Sequence, residues 1–500
     1  MQFAVVFALA FPSCVWYTFT VCTSEKKDEI MSIKSLIGDR AFYRRILAIS
    51  LPIMVQMGIT NFVNLLDNIM VGRLCTESMS GVSIVNQFIF IYNLLIFGAI
   101  SAAGIFTAQF HGFGNVKGER DTFRFKLLIN LVASILGTVA FALLDEQLIS
   151  LFLHTGSAEG NLALTLSEGK AYLGVMLIGL LPYAISQVYA STMRETGQTV
   201  MPAVASSVAV GINFVFNYLL IFGHLGLPAM GVRGAALATV ISRFIELAII
   251  VIWGHTHKKQ CPFLAGAYRA FSIPRELMGK IAVKGLPLML NEVFWAFAMT
   301  MRNQCYSLRG LDVVGAQNIN TTIFNLFNVV YLAIGSSIAI VVGSLLGAGK
   351  TEEARDTDRK MIAFSVICGT VLGLLLILTA PYFPMIYKTT DSVRSLASFM
   401  IVVSAATMPF CAYAHAAYFT LRSGGLVGTT LLLDSVFMWV VAVPIAFVLA
   451  NFTEMGILWM FPICQCAEVI KAFVSAFLLK RGTWVRQLVG KKDAESAKIE

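Results

Sequence analysis

The chain alternates long apolar runs with short polar gaps over most of its length. Each run is about twenty residues long, the length that a helix needs to cross the apolar part of a bilayer. Cutting the runs at polar, glycine or proline breaks predicts twelve membrane-spanning helices, so the predicted fold class is an all-α polytopic membrane protein. The predicted spans are 46–69, 80–108, 124–144, 170–192, 200–223, 232–253, 280–302, 313–343, 360–382, 394–421, 427–450 and 456–479.

Composition supports a membrane protein. Hydrophobic residues make up 57% of the chain and charged residues only 13%, against about 25% charged residues in a typical soluble domain. The net charge of +9 would indicate a nucleic-acid partner only if the basic residues clustered on one soluble face. They lie in the short gaps between apolar runs instead, so the expected partner is a lipid bilayer and no nucleic acid is expected. The nine cysteines are scattered, mostly within apolar runs, and predict neither disulfides nor a zinc site.

The second half of the sequence repeats the first. Residues 51–54 (LPIM) and 111–121 (HGFGNVKGERD) are matched by residues 286–289 (LPLM) and 346–356 (LGAGKTEEARD), both at an offset of 235. A later pair of blocks, RETG after Met193 and RSGG after Leu421, has an offset of 228. This duplication predicts two pseudo-symmetric six-helix bundles, an organisation typical of transporters whose halves move about a central site.

Lysine and arginine are concentrated in alternate gaps, and the rule that positive loops stay in the cytoplasm then places both termini inside the cell. The expected location is the inner (plasma) membrane. The predicted domains are an N-terminal bundle at 31–253, a cytoplasmic linker at 254–279, a C-terminal bundle at 280–480 and a cytoplasmic tail at 481–500.

The first thirty residues do not follow this pattern. They contain an apolar stretch from Phe3 to Val21 with no basic residue before it, whereas a secretory signal has a positive start. A conventional N-terminus for a membrane protein of this kind would begin at Met31. We expect residues 1–30 to be an N-terminal extension from an upstream start codon; an extra helix and a cleaved signal are the alternatives.

Several segments carry a family resemblance. Residues 61–73 (NFVNLLDNIMVGR) resemble the first-helix motif of the multidrug and toxic compound extrusion (MATE) family. Residues 193–198 (MRETGQ) with 213–217 (NFVFN) resemble its fourth-to-fifth helix segment, and residues 227–239 (LPAMGVRGAALAT) resemble the start of its sixth helix. The resemblance continues in order through both halves.

This resemblance implies a secondary active multidrug efflux antiporter with two bundles around a central cavity. The expected substrates are small, amphipathic and often cationic compounds, exported in exchange for Na⁺ or H⁺. No enzyme activity and no cofactor beyond the coupling ion are expected, and the protein is expected to act as a monomer.

A carboxylate inside a membrane helix is costly, by about 2.5–3.5 kcal/mol on insertion scales, so Asp67 is the main candidate for cation coupling. No basic residue lies three or four positions away from it, and Asn64 lies one turn before it. Such a carboxylate can hold a proton or coordinate Na⁺ with neighbouring oxygens. Asn213 and Asn217, spaced four apart, present their amides on one helix face and join the predicted site. Some family members have an aspartate at the position of Asn217. An amide cannot bind a proton, which leaves Asp67 as the main candidate in the first bundle.

Two pairs of charged residues are predicted to be structural. Arg243 lies three residues before Glu246, and Glu468 lies three residues before Lys471, so each pair shares a helix face. Paired charges of this kind are first expected to hold structure together.

The second half offers weaker candidates for a site. Glu292 resembles the family's seventh-helix glutamate, but it lies about one turn too close to Pro287. The family's tenth-helix aspartate has no counterpart, and Tyr413 and His415 occupy that region. His415 could titrate near neutral pH, or simply pack with a hydrogen bond.

Two other functions remain as alternatives. A flippase for lipid-linked oligosaccharides of a related fold would favour a basic cavity, whereas the charges within these spans lean acidic. A membrane-embedded enzyme would need a catalytic cluster of side chains, which the sequence does not present. Residues 344–351 end in Gly-Lys-Thr, but Ser344 replaces the first glycine of a nucleotide-binding loop, so no nucleotide is expected.

Overall fold

The computed structural model describes residues 36–71, 74, 76–150, 162–269, 272–387 and 389–489. The predicted extension at residues 1–30 and the end of the predicted tail lie outside the described residues. Within the described part every regular element is helical, and twelve helices are long and apolar enough to cross a membrane. The predicted fold class and number of spans are therefore confirmed.

These twelve helices are numbered in chain order, and each overlaps one predicted span. They are α1 (Arg40–Val71), α2 (Thr76–Phe113), α3 (Val116–Leu143), α4 (Leu162–Glu195), α5 (Val200–Phe222), α6 (Gly231–Thr256), α7 (Arg275–Ser307), α8 (Leu311–Gly347), α9 (Thr351–Thr379), α10 (Asp391–Ser423), α11 (Val427–Phe452) and α12 (Ile457–Lys480). Most are longer than the predicted spans, because the helical hydrogen bonding continues through polar residues beyond the apolar run.

Proline leaves most of these helices continuous but changes α11. Pro52, Pro182, Pro287 and Pro409 all lie inside helices. In α11, two π-helical segments, Leu432–Val436 and Met438–Ala442, precede Val443–Phe452 with its early Pro444. Because proline cannot donate a backbone hydrogen bond and its ring crowds the preceding turn, a wider turn before it relieves the clash.

The described helices form two compact units. The N unit spans residues 55–289, and the C unit spans residues 36–54 and 290–489. The boundaries lie inside α1 and α7, two residues after Pro52 and Pro287, whereas the division predicted from the sequence is at residues 254–279. Each unit has its own buried apolar interior. Large, fully buried side chains include Phe106, Phe123, Leu173 and Met193 in the N unit, and Tyr306, Tyr331 and Phe461 in the C unit.

Small residues bring α9 and α10 close together in the C unit. A Cβ atom on Gly369 would lie 2.8 Å from the Cβ of Ala412, and one on Gly373 would lie 2.7 Å from the carbonyl oxygen of Ala405. Glycines one turn apart on a membrane helix allow this kind of close backbone packing. Conversely, large apolar side chains such as Leu136 and Leu378 are 64% and 68% exposed, as expected where the surroundings are lipid.

The stretch between α6 and α7 packs against the N unit. A short 3-10 turn, Pro262–Leu264, is buried, and the ring of Phe263 lies 5.4 Å from that of Phe123 on α3. Arg124, also on α3, donates to the carbonyl oxygens of Ala267 at 2.8 Å and Gly266 at 2.9 Å. The described part of the predicted linker is therefore held against the bundle by hydrogen bonds from the Arg124 side chain to its backbone carbonyl oxygens.

Candidate functional site

Three helices of the N unit bring Asp67 together with polar side chains. Asn217 on α5 donates through Nδ2 to Oδ1 of Asp67 on α1 at 2.6 Å. Asn213, one turn earlier on α5, is within 3.2 Å of both Asn217 and Thr239 on α6. The i, i+4 spacing that suggested a shared face therefore does place both amides beside Asp67.

The amide of Asn213 has two orientations with different partners. In one, its Oδ1 accepts from Asn217 and its Nδ2 points to Thr239. With the amide turned round, its nitrogen donates to Oδ2 of Asp67 at 3.0 Å, and its oxygen accepts from the Thr239 hydroxyl at 3.2 Å. Oxygen and nitrogen of an amide are distinguished only by such partners. The turned orientation satisfies both the Asp67 carboxylate and the Thr239 hydroxyl.

One oxygen of this site has no partner. Among the residues that the structure describes, the side-chain oxygen Oδ1 of Asn217 is buried and accepts no hydrogen bond. The described hydrogen-bond partners of Asp67 are amides, and none of them is a cation. Asn64 was predicted to join the site, but its side chain lies outside the described ones. We call Asp67, Asn213, Asn217 and Thr239 the oxygen cluster.

A second buried polar contact links α1, α5 and α6 of the N unit. Gln56 donates to the hydroxyl of Ser206 at 2.8 Å, and this hydroxyl donates to Oε1 of Glu246 at 2.5 Å. Oε2 of Glu246 lies 3.8 Å from Nη1 of Arg243. The guanidinium of Arg243 also lies over the ring of Tyr183, 4.2 Å from its centre. The expected Arg243–Glu246 pair is thus present. Sequence spacing did not reveal its two further partners, Ser206 for Glu246 and Tyr183 for Arg243.

The C unit pairs its charges differently from the sequence expectation. Lys471 on α12 donates to Oδ1 of Asp434 on α11 at 2.5 Å, and not to Glu468 on its own helix. Glu468 lies 3.8 Å from Nη1 of Arg302 on α7. The reason is that the facing helix α11 brings the Asp434 carboxylate within hydrogen-bond distance of the ammonium, a contact that spacing along α12 alone cannot reveal.

The three C-unit candidates have different described surroundings. Glu292 makes side-chain hydrogen bonds with Tyr418 and Asn291. His415 places Nδ1 2.9 Å from the carbonyl oxygen of Cys411, and its ring lies 5.1 Å from that of Tyr331. Tyr413 is 5% exposed within an apolar core cluster.

Sequence reasoning missed several members of these contacts. Thr239 was quoted only as part of a family segment, and Gln56, Ser206 and Asn291 were not singled out. Asn291 donates to Asp434 at 3.2 Å, as Gln56 does to Ser206. The signal was available, because the repeat offsets relate Gln56 to Asn291 and Ser206 to Asp434.

These features define a class of protein. Twelve apolar helices among the described residues, a duplicated half and a half-buried carboxylate whose described partners are amides are typical of polytopic membrane transporters. The family model described as MatE matches residues 52–219 and 287–448, in both halves of the chain. The chain belongs to this family, whose members are multidrug efflux transporters and not enzymes.

Relatives across bacteria support the assignment. A probable multidrug resistance protein NorM from Thermotoga maritima is 22% identical over 449 residues, covering 89% of this chain and 94% of the relative. A probable NorM from Halalkalibacterium halodurans is 25% identical over 414 residues, covering 82% and 88%. The multidrug resistance protein PmpM from Pseudomonas aeruginosa is 24% identical over 380 residues, covering 73% and 75%.

Solved structures share the fold. The outward-facing conformation of a multidrug resistance MATE family transporter matches with a TM-score of 0.80 and 21% identity, covering 90% of this chain and 97% of that one. A MATE crystal structure in complex with MaL6 gives a TM-score of 0.80 at 20% identity, covering 90% and 98%. At this level of identity the likeness concerns the fold and leaves the coupling ion and the substrate open.

Proposed function

We propose that this protein is a secondary active antiporter that exports amphipathic, often cationic compounds in exchange for Na⁺ or H⁺ bound at Asp67. In the proposed cycle, substrate binds from the cytoplasm or the inner leaflet. The protein then changes to an outward-open state, and an incoming cation at Asp67 favours release. Coupling of this kind requires a group whose ion occupancy changes the balance between two states.

The oxygen cluster is the observation that supports this proposal. Asp67 is half-buried and its partners among the described residues are neutral amides, so no described cation balances its charge. A proton or a sodium ion supplies the missing positive charge. The unpartnered Oδ1 of Asn217 and the hydroxyl of Thr239 are further oxygens of the type that Na⁺ accepts as ligands. Because Asn217 is an amide and cannot titrate, the cluster holds one negative charge and fits one monovalent cation.

The names of the relatives support the substrate class. The proteins from Thermotoga maritima and Pseudomonas aeruginosa are both described as multidrug resistance proteins. Varied drug-like compounds are accepted best by apolar and soft side chains, and this chain has 37 phenylalanines and 21 methionines. We propose that it acts as a monomer on such compounds, with organic cations preferred.

The charge distribution supports a location in the inner membrane with both termini in the cytoplasm. Basic residues flank the α2–α3, α6–α7 and α8–α9 connections. They are Lys117, Arg120 and Arg124, then Lys258, Lys259 and Arg269, then Lys350, Arg355 and Arg359. Connections rich in lysine and arginine stay on the cytoplasmic side. All three lie on the same side if each long helix crosses the membrane once.

The test is transport by the purified protein in lipid vesicles, with Na⁺ and H⁺ gradients imposed separately. We expect a fluorescent organic cation to move against its gradient under one of the two ion gradients. Asp67→Asn keeps the size and hydrogen bonding of the side chain but removes its charge. It should abolish gradient-driven movement while substrate binding persists.

Glu168→Gln is the matched control, since Glu168 is a carboxylate of the same unit that contacts Ser78 and lies outside the oxygen cluster. It should transport like the unchanged protein. Gradient-driven transport at the normal rate by an equally abundant Asp67→Asn protein would overturn the proposal and make Glu292 the next candidate.

A further inference from the structure

The two units share a polar contact at equivalent positions. Gln56 on α1 and Asn291 on α7 are 235 residues apart, and Ser206 on α5 and Asp434 on α11 are 228 apart, the same offsets that relate the sequence halves. The amide donates to the α5 or α11 side chain in both units, at 2.8 Å in the N unit and 3.2 Å in the C unit. The contact between these helices is therefore duplicated.

The last helix of each unit completes the contact. A Met-Gly pair at residues 230–231 and at residues 455–456 marks the start of α6 and α12, at an offset of 225. On this offset Glu246 is equivalent to Lys471. Glu246 accepts from Ser206 at 2.5 Å, and Lys471 donates to Asp434 at 2.5 Å. The same positions thus meet at the same distance in both units, although the side chains differ.

The charges of these two contacts are inverted. In the N unit the Glu246 carboxylate accepts from Ser206 and lies 3.8 Å from Nη1 of Arg243, and in the C unit the Lys471 ammonium donates to the Asp434 carboxylate. On the offset of 225, Arg243 is also equivalent to Glu468. The two units therefore contain equivalent interhelical contacts whose α6 and α12 residues have opposite charges.

The oxygen cluster, in contrast, is not duplicated. By the same offsets its residues correspond to one arginine, two aliphatic residues and one cysteine in the C unit. Asp67, Asn213, Asn217 and Thr239 correspond to Arg302, Val441, Ile445 and Cys464. The shared contact consists of Gln56, Ser206 and Glu246 in the N unit and of Asn291, Asp434 and Lys471 in the C unit. It occurs together with the oxygen cluster in the N unit and without an equivalent cluster in the C unit. Its general role is therefore to fix helices against each other and not to bind an ion.

In the N unit this contact lies on the same helix faces as the oxygen cluster. Ser206, Asn213 and Asn217 are spaced seven and four residues apart on α5, and Thr239 and Glu246 are spaced seven apart on α6. Residues at these spacings share one face of a helix. The Ser206–Glu246 hydrogen bond and the Asn213–Thr239 contact thus fix the rotation of α5 against α6 at two positions along the helices.

We propose that Glu246 is a positioning residue for the cation site at Asp67. Through Ser206 it holds α5 at the rotation that presents Asn213 and Asn217 to Asp67. Its carboxylate is required because it interacts with Ser206 and Arg243. It does not itself bind or release the coupling ion. This inference rests on the proposed function of Asp67. It adds the claim that the charge of the contact can be inverted without loss of coupling.

The first experiment measures the concentration of coupling ion that gives half-maximal export. Glu246→Ala should raise this concentration by about tenfold or more, the effect typical of removing a group that orients a ligand, while substrate affinity stays unchanged. Ser206→Ala removes the hydrogen bond and no charge, and should act in the same direction. Ser207→Ala, on the neighbouring residue of α5, is the matched control and should have no effect.

The second experiment copies the C-unit version into the N unit. The triple variant Ser206→Asp, Arg243→Glu and Glu246→Lys should reach the membrane and restore the ion requirement of the unchanged protein. The single variant Glu246→Lys should not, because it places a second cation beside Arg243.

Each result decides the proposal. An abundant triple variant without ion-driven export would show that the Glu246 carboxylate itself takes part in ion exchange. A triple variant absent from the membrane would contradict the equivalence of the two contacts. An unchanged ion requirement in Ser206→Ala or Glu246→Ala would remove the positioning role. Asp67→Asn is run in the same series: if it keeps ion-driven export, the proposed function of Asp67 fails, whatever the Glu246 variants do.

Discussion

At the scale of single residues, the buried charges of the C unit are compensated across helices. Lys471 is 6% exposed and its ammonium is held by Asp434 of α11, which also accepts from Asn291 of α7. A charge taken out of water in this way is tolerated only while its partner remains. Removing either partner leaves the other buried and unpaired.

We therefore expect Lys471→Met to lower the free energy of unfolding by about 3–5 kcal/mol, the usual cost of breaking a buried ion pair. Adding Asp434→Asn should recover most of the loss, because the unpaired carboxylate is then gone. Thermal unfolding of the purified protein in detergent measures both effects. Lys480→Met, at the exposed end of α12, is the control and should change little. A single Lys471→Met variant as stable as the unchanged protein would contradict the pairing.

At this scale the sequence indicated candidate residues but not all of their partners. Asp67, Asn213 and Asn217 could be proposed as a candidate site because a carboxylate inside a membrane helix is costly and an i, i+4 spacing defines a shared face. Thr239 could not be placed, because its contact depends on how α5 and α6 are rotated about their axes. The pairing of Lys471 with Asp434 depends on the same unknown rotation, and spacing along one helix favoured Glu468 instead.

At the scale of helices, close packing between α9 and α10 depends on glycine. A Cβ on Gly373 would lie 2.7 Å from the carbonyl oxygen of Ala405, which no real contact allows. Gly373→Ala should therefore push the helices apart and destabilise the protein by about 1–3 kcal/mol, as overpacking does. Gly174→Ala on α4 is the control, because a Cβ there meets nothing within 4 Å. Equal melting temperatures for the two variants would contradict close packing of α9 on α10.

A second prediction at this scale concerns the packed connection between α6 and α7. Cys261 is fully buried there, and burial together with the nearby Glu119 carboxylate raises the pKa of its thiol to about 11. Only the thiolate reacts with maleimide, and at pH 8 about one thiol in a thousand is then ionised. A protein with Cys261 as its only cysteine should react slowly at pH 8, and faster as the pH rises toward 11.

Arg124→Ala removes the hydrogen bonds to the carbonyl oxygens of Gly266, Ala267 and Ser272. The connection should loosen, and labelling of Cys261 should speed up severalfold. Arg120→Ala, one turn earlier on α3, is the control and should leave the rate unchanged. If Cys261 in the single-cysteine protein reacts as fast as a single exposed cysteine introduced by Lys258→Cys, the connection is not packed as described.

At the scale of the whole molecule, twelve spans and a duplication were predictable because both are properties of the linear pattern. Apolar length sets the number of crossings, and repeated segments such as LPIM and LPLM reveal the copy. The compact units were not predictable in the same way. Their boundaries inside α1 and α7 depend on which helices pack together, whereas the sequence marks a boundary only by its polar, basic connection at 254–279.

The placement of these boundaries has a consequence for how the gene can be divided. A chain interrupted between Lys258 and Lys259 gives two fragments that match the sequence repeat. The first fragment carries residues 36–54, which belong to the C unit, and the second carries residues 259–289, which belong to the N unit. Neither fragment then encodes a complete unit.

We expect each fragment alone to be degraded in cells, and the two expressed together to complement each other and restore drug resistance. Immunoblots of membrane fractions and growth in the presence of drug measure this. A fragment 1–258 that accumulates alone as a stable, monodisperse bundle would mean that the repeat and the folding unit coincide. With the observed boundaries, each repeat of the sequence instead contains part of the compact unit that is formed mainly by the other repeat. The two repeats must therefore be inherited and expressed together.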